Sequence, residues 1–507
     1  MKRYITLLHL SFCAALLLLS ASCSAQTSAS AKIGPPSTEA STQISVPTTT
    51  SAPQLTATAP SVAASTRPQY TINVVMDYKA KSLSADETIL YPNHTGQTLN
   101  DLVLAVEPNY WKNCFTLKSL AINDAALTNY TLVDHTLSLQ LPQPLASEAI
   151  IKIQITFTLN LPLIVPTNPT VTRPRIFGYD SRQINLTNWY PFVVPFIGGQ
   201  WTLHDTWYYG EELVYDAADF KVNLKFSEST PSPVVASSGE LIATSTDSTV
   251  TYTLTAGRAF VFSMSPDFQV DSTKVGDVTV YSYYYDYSSF DIPGRLSLTT
   301  TAQALQIYSQ RYGPYPHKTL SVIQGNFNDG MEFSASYFTS FAYYNLLAGN
   351  PTFANYKLEV TYLAAHETAH QWWFEQVAND QALEPWLDEA MATYSEHVFF
   401  ETYYPAELKL WWYVRSDQYD PKGWVDIPIY DGGGFRPYTN AVYFEGAHFL
   451  DDLRTRIGDP AFFAFLQEYL NQENGKISTS ADFFRILRTH TPVDFSDLII
   501  KYFKNSH

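Results

Sequence analysis

The chain has 507 residues and a formal net charge of −17, from 48 acidic and 31 basic side chains. This acidic balance excludes a surface built to bind nucleic acid, because phosphate contacts need a basic face. Hydrophobic residues make up 45% and charged residues 16%, which is a globular composition, and the length suggests about three domains.

The N-terminal segment has the pattern of a signal peptide. Two basic residues precede an apolar run over 5–19 that is too short to span a membrane comfortably. Small residues before Cys23 resemble a bacterial lipobox, although Ser20 stands where Leu is usual. We therefore expect residues 1–22 to be a signal peptide and Cys23 to be lipidated, with ordinary cleavage nearby as the alternative. The expected location is the cell surface or periplasm, anchored at a bacterial membrane by the lipid only.

Residues 23–68 are rich in Ser, Thr, Ala and Pro and cannot bury enough apolar surface to offset chain entropy. They predict a disordered tether. No second run of about 18 apolar residues follows, so no integral membrane domain is expected. Cys114 is the one cysteine after Cys23, and it predicts a small buried hydrophobe rather than half of an internal disulfide.

Alternating apolar and polar residues predict an all-β domain over 69–270. Runs such as 70–78, 151–159, 220–226 and 250–254 place apolar side chains on one face, with turn residues between the runs. From 271 to 507 the pattern becomes mixed and then mainly helical. Helices are expected over 293–312, 356–377, 386–402, 446–457, 460–470 and 481–488.

The expected helix over 356–377 carries the clearest chemical motif. His366 and His370 are four residues apart, so they lie one above the other on a helix face. Two imidazoles so placed can bind one zinc ion, with Zn–N bonds of about 2.0–2.1 Å. Glu367 lies beside that face, where it can take a proton from water at the metal.

A catalytic zinc ion has three protein ligands as a rule, so one more donor is needed. Glu389 follows His370 after eighteen residues, 371–388, and opens the next predicted helix. Two satisfied histidines on a buried helix would explain the first motif alone. A carboxylate at this spacing makes a zinc site with His366, His370 and Glu389 the better hypothesis.

These residues resemble the aminopeptidase N family of gluzincin zinc metallopeptidases, which includes leukotriene hydrolase. That family has a Glu in Trp-Leu-Asn-Glu-Gly eighteen residues after its zinc motif. Here the segment over 386–390 is Trp-Leu-Asp-Glu-Ala, and the family's His-Gln-Trp continuation is matched over 370–372. The resemblance covers the chain from residue 69 to the end. The long helical C-terminal domain of larger family members has no counterpart in this sequence. It implies one zinc ion per chain, with Glu367 as the general base.

A second family motif, Gly-Ala-Met-Glu-Asn, is resembled by Asp329–Phe333 on a predicted strand edge. The resemblance implies that Gly330, Met331 and Glu332 line the substrate cleft, with Glu332 holding the free α-ammonium group. A third motif, Tyr-x-Lys-Gly, is matched over 443–446 except that Glu445 replaces Lys. It implies that Tyr443 donates a hydrogen bond to the oxyanion.

The fold class implied is multidomain α+β, with an all-β saddle-like domain over 69–270 and a thermolysin-like mixed α/β catalytic domain over 271–507 that ends in helices. The expected function is that of an exported zinc-dependent aminopeptidase acting on peptides with a free N-terminus. Two alternatives stay open: a zinc endopeptidase, since Phe333 replaces the family's Asn, and a non-catalytic peptide-binding lipoprotein on the same fold.

Overall fold

The computed structural model describes residues 66–165, 176–227, 232–285, 292–327, 329–340, 344 and 354–507. The expected signal peptide, Cys23 and nearly all of the expected tether lie outside these residues. Within the described ranges, no helix has the length and apolar character needed to cross a membrane. Cys114 is buried and carries a free thiol.

The first part of the described chain consists of strands, as the alternating pattern predicts. In β1 (Gln69–Asp77), for example, Tyr70, Ile72, Val74 and Met76 are buried while their neighbours are more exposed. The other strands of this part are β2 (Ser82–Pro92), β3 (Leu99–Ala105), β4 (Phe115–Ile122), β5 (Ala125–Ala126), β6 (Tyr130–Val133), β7 (Thr136–Leu145), β8 (Ile150–Asn160), β9 (Gly178–Tyr179), β10 (Ile184–Leu186), β11 (Phe192–Val193), β12 (Phe196–Ile197), β13 (Gln200–Trp201), β14 (Ala218–Phe226), β15 (Val234–Ser237), β16 (Glu240–Thr244), β17 (Val250–Gly257) and β18 (Phe262–Ser265).

A large mixed sheet with the strand order β16-β17-β14-β1-β2-β8-β4-β5 forms the base of this part. Strands β1 and β14 pair in parallel, whereas β1 and β2 form an antiparallel pair in which Ile72 faces Glu87. Smaller sheets, β11-β3-β7-β6 and β15-β18-β10-β9, contribute apolar side chains to the same core. Burying these alternating faces is the main favourable contribution to folding here.

The second part combines a sheet with helices. Its sheet has the order β19-β20-β21-β23-β22, which places β22 at an edge. The strands are β19 (Phe268–Val275), β20 (Val278–Tyr285), β21 (Thr319–Gly325), β22 (Met331–Phe333), β23 (Ser336–Ser340), β24 (Ala378–Asn379) and β25 (Ile477–Ser478). The helices are α1 (Ile292–Arg311), α2 (Ala354–Ala369), α3 (Trp386–Tyr403), α4 (Leu408–Arg415), α5 (Phe435–Thr439), α6 (Gly446–Ile457), α7 (Asp459–Glu473), α8 (Ser480–His490) and α9 (Ser496–Tyr502).

Most of the helices predicted from the sequence are confirmed within a few residues, but the predicted helix over 356–377 is wrong at its C-terminal end. Helix α2 ends at Ala369, and the chain then turns. Phe374 has a φ of 134°, which a helix cannot contain, and its N–H donates to the Val377 carbonyl. The segment has no Pro or Gly, so no local signal marks the end. Distant contacts determine it instead, including Arg258, whose guanidinium binds the carbonyls of Glu375 and Gln376.

Candidate active site

The last turn of α2 carries the first half of the site. His366 and Glu367 lie in the helix, and His370 lies directly after it. All three are nearly inaccessible to solvent. The two imidazole rings are nearly perpendicular, at 81°, and their Nε2 atoms are 3.2 Å apart. The four-residue spacing therefore produces the convergence that the sequence predicts.

Helix α3 supplies the second half, because Glu389 lies in its first turn. The Glu389 Oε2 atom is 3.2 Å from Nε2 of His366 and 3.7 Å from Nε2 of His370. A tetrahedral ion with bonds of about 2.0–2.1 Å needs donor atoms about 3.3 Å apart. The three donor atoms match that requirement, so the structure brings together the three predicted ligands in a geometry that fits zinc.

The other nitrogen of each ring is held by a group that the sequence analysis did not identify. His366 Nδ1 lies 2.8 Å from Oε1 of Glu396, and His370 Nδ1 lies 3.0 Å from the Trp373 carbonyl oxygen. Such partners fix the tautomer and leave both Nε2 atoms for a metal. Burial lowers the pKa of His370 to about 4, which keeps that ring neutral as a ligand must be.

Glu396 is itself held in place by a fork of donors. Arg415 donates to both of its carboxylate oxygens, and Trp411 Nε1 donates to Oε2 at 3.0 Å. Burial favours the neutral carboxyl group, but the Arg415 charge outweighs it and lowers the pKa of Glu396. Glu396 lies two helical turns after Glu389, a spacing that could have suggested its role in the sequence.

Glu367 lies beside the three donor atoms, where a general base is needed. Its Oε2 atom is buried, and among the described residues it has no hydrogen-bond partner. Burial raises the pKa of Glu367 well above its usual range. Gly330 makes room for this side chain, because a Cβ atom at that position would lie 1.9 Å from Glu367 Oε1. The glycine of the second motif therefore has a steric role in addition to lining the cleft.

The edge strand β22 carries Met331 and Glu332 towards the same place. Glu332 offers a carboxylate oxygen within 4.8 Å of donor atoms of Glu367 and His370. Gln381 Nε2 donates to Glu332 Oε1 and to Asp388 Oδ2, both at 3.0 Å. Burial, together with the charge of Glu389, raises the pKa of Glu332 to about 7. Gln381 could not be identified from the sequence, because it belongs to no motif.

Tyr443 completes the group. It lies in a π-helical turn, Asn440–Glu445, which runs directly into α6. Its ring is parallel to that of His366, with 6.1 Å between centroids, and its hydroxyl interacts with the Glu389 carboxylate. Turns of this kind occur often at functional sites, because the extra residue redirects side chains. Every predicted zinc, base and cleft residue thus lies in one region, whereas Cys23 lies outside the described residues.

The fold and the site together define a zinc metallopeptidase arrangement in which two histidines at the end of one helix and a glutamate of the next would hold the ion. Residues 296–503 match the profile of the peptidase family M1 domain. The chain therefore carries a peptidase family M1 domain, and zinc is the cofactor that this domain and these donor atoms imply. The predicted fold class, a β-rich part followed by a mixed and then helical part, is confirmed by the structures of two-domain M1 zinc metallopeptidases.

Among solved structures, a variant of the M1 zinc metallopeptidase from Deinococcus radiodurans is 17% identical with a TM-score of 0.64, covering 87% of this chain and 95% of that chain. The same enzyme bound to a Tyr-Ser-Ala substrate is 17% identical with a TM-score of 0.61, over 87% and 95% of the two chains. Human endoplasmic reticulum aminopeptidase 1 is 27% identical over 150 residues, which cover 28% of this chain and 16% of the relative. The matched region thus spans a small part of that relative's length.

Proposed function

We propose that this protein is a zinc-dependent aminopeptidase that removes N-terminal residues from peptides. One observation carries the proposal: the Nε2 atoms of His366 and His370 and the carboxylate of Glu389 are spaced as a zinc ion requires, with Glu367 beside them. A scaffold that only binds peptides has no need of a buried base at such a site.

When bound, zinc supplies a Lewis acid that polarises the peptide carbonyl and makes water more acidic. Glu367 accepts a proton from the attacking water and returns it to the leaving amine, a role that contributes about 10²–10⁴-fold. Tyr443 donates a hydrogen bond to the oxygen on which negative charge develops, and its loss costs roughly 3 kcal/mol. The burial of His370, Glu367 and Glu389 keeps bulk water from weakening these interactions.

Recognition of a free N-terminus rests on Glu332. A carboxylate held near the catalytic group binds the ammonium group as a charge-assisted pair and so places the first peptide bond over the base. The hydrogen bond from Gln381 fixes the carboxylate of Glu332. Glu211 and Glu332 line one cavity of about 560 Å³. Burial raises the pKa of Tyr443 well above its usual range, and the negative charge of Glu211 adds to that shift. Glu211 is therefore the residue outside the helical part that we assign to assist Glu332.

The site is consistent with what related proteins are named for. Endoplasmic reticulum aminopeptidase 1 carries this activity in its name, and the Deinococcus radiodurans enzyme has been crystallised with a tripeptide substrate.

We further propose that this protein is exported and anchored by a lipid at Cys23. Radiolabelled palmitate should be incorporated into the expressed protein and lost in Cys23→Ala; equal labelling of both proteins would contradict the anchor.

The test compares aminoacyl-arylamides with their N-acetylated counterparts, with and without a zinc chelator. The proposal predicts hydrolysis of the free amines only, loss of that activity with the chelator and recovery on adding zinc. Glu367→Gln should keep zinc and lose at least about 100-fold in kcat. Equal cleavage of acetylated substrates would identify an endopeptidase, and zinc binding without any hydrolysis would identify a binding protein.

A further inference from the structure

His370 is the one predicted zinc ligand that lies outside a helix, because α2 ends at Ala369. The following residues, 371–377, form a turn (the His370 turn) that holds it. The His370 carbonyl accepts a hydrogen bond from the Glu375 N–H at 3.0 Å, and its ring Nδ1 lies 3.0 Å from the Trp373 carbonyl oxygen. The orientation of this imidazole therefore depends on where the His370 turn lies.

A side chain of the β-rich part holds the His370 turn from the other side. Arg258 directly follows β17 and is 2% exposed. Its guanidinium donates to two carbonyls of the turn, from Nε to Glu375 at 3.0 Å and from Nη2 to Gln376 at 3.2 Å. It also donates to the carbonyls of Tyr215 at 3.1 Å and Lys476 at 3.0 Å. Because the donors of a guanidinium form a rigid fork, one side chain fixes four carbonyls relative to each other.

The backbone beside the same arginine is bound to the strand that carries Glu332. The N–H groups of Arg258 and Ala259 donate to Oγ of Ser334, at 2.7 and 3.1 Å. Ser334 is fully buried and directly follows β22, in the turn to β23. The segment over 258–259 thus contacts the His370 turn through a side chain and the end of β22 through its backbone.

We propose that Arg258 is a positioning residue through which the β-rich part holds the zinc ligand His370 and, by way of Ser334, the strand of Glu332. The inference rests on the proposed function, because that function gives His370 and Glu332 their roles. Groups that orient a ligand from outside the metal's own shell typically change metal affinity by about 10–100-fold. The β-rich part is therefore needed to retain the metal as well as to form the cleft.

Arg258→Lys tests the contact with the His370 turn. Lysine keeps the positive charge, but its compact ammonium group cannot reach four separate carbonyls. We expect zinc to dissociate into a chromogenic chelator about tenfold faster or more from this variant. The visible absorption spectrum of the cobalt-substituted variant should also change, because that spectrum reports the geometry of the ligands. Unchanged dissociation rate and spectrum would overturn the inference.

Arg454→Lys is the matched control. Arg454 is also buried, and its guanidinium donates to the carboxylates of Glu401 and Asp459 in the helical part. Both variants should lower the melting temperature, but only Arg258→Lys should release zinc faster. Equal acceleration in the two variants would show a loss of general stability and would overturn the positioning role.

Ser334→Ala tests the contact with β22 and keeps the inference falsifiable if Arg258→Lys does not fold. We expect KM for free-amine arylamides to rise by about fivefold, the effect of weakening one hydrogen bond, with kcat nearly unchanged. Ser265→Ala is its control, since Ser265 is fully buried and its Oγ accepts from the Asp267 N–H at 3.1 Å. The same KM in Ser334→Ala as in this control would overturn the link to Glu332.

The zinc measurements separate the failure of this inference from the failure of the proposed function, because they need no turnover. Faster zinc release from Arg258→Lys supports the positioning role even if no arylamide is hydrolysed, an outcome that would refute the aminopeptidase proposal alone. Equal release from the variant and the unmodified protein, in a protein that does hydrolyse arylamides, would overturn the inference and leave the function intact.

Discussion

At the scale of residues, the site shows which contacts a linear pattern can reveal. His366, His370 and Glu389 could be predicted because helical spacing and one inter-helix interval bring them together. The roles of Glu396 and Gln381 are harder to predict from the sequence, because their contacts depend on how separate segments pack in the folded chain. His366 meets Glu396 thirty residues later, and Glu332 meets Gln381 from another element.

Gly330 provides a residue-scale prediction. In Gly330→Ala the new Cβ would overlap Oε1 of Glu367, so the carboxylate must move away from the site. We expect kcat to fall by about 100-fold or more, the lower range for a displaced general base, while zinc content stays at one per chain. Steady-state kinetics and metal analysis of the purified variant measure both quantities.

Gly276→Ala serves as the control. Gly276 has a positive φ of 58° but open space around it, so the substitution strains a turn without reaching Glu367. It should lower thermal stability slightly and keep full turnover. If Gly330→Ala were as active as this control, the close packing of Gly330 against Glu367 would not matter for catalysis.

At the scale of elements, the positions of the helices could be predicted from the sequence, but the C-terminal end of α2 could not. Periodicity predicts α6 from Gly446 to Ile457, as observed. The end of α2 depends instead on tertiary contacts to the turn after His370. In that turn Gln371 is fully buried, with Nε2 donating to the Phe333 carbonyl and Oε1 accepting from the Ala335 N–H, both at 3.0 Å. One amide therefore joins the turn after α2 to the strand of Glu332 and the residues that follow it.

Gln371→Leu tests whether this link positions Glu332. Removing both hydrogen bonds leaves two backbone groups buried and unpaired, so the end of β22 should shift. We expect KM for free-amine substrates to rise by about tenfold, with a smaller change in kcat and no loss of zinc. Michaelis–Menten analysis on free-amine substrates measures the effect, with the acetylated substrates as the check that any gain in their cleavage is detected.

Gln183→Leu is the matched control for that variant. Gln183 is also buried, and its amide bonds Ser263, the Gln324 carbonyl and Tyr285, away from the zinc ligands. Both variants should lower the melting temperature, but only Gln371→Leu should weaken discrimination of free amines. If KM rose equally in both variants, Gln371 would stabilise the fold without positioning Glu332.

At the scale of the whole molecule, the alternating strands and the later helices predict the fold class, but not the cavity. Its wall combines rings separated by more than 200 residues, such as Trp111 and Phe374. No local pattern distinguishes these from the other aromatic residues, which make up 15% of the chain. This cavity therefore forms only when the strands and the helical part are folded together.

We infer that one zinc ion binds between the two imidazoles and the Glu389 carboxylate. Anomalous X-ray diffraction from a crystal, recorded on both sides of the zinc absorption edge, tests it most directly. We expect one strong peak about 2.0–2.1 Å from Nε2 of His366 and His370, in contact with Glu389 and absent from a crystal of Glu389→Ala. A zinc-loaded crystal with no peak there, or with the Glu389 side chain turned away from the ion, would contradict it.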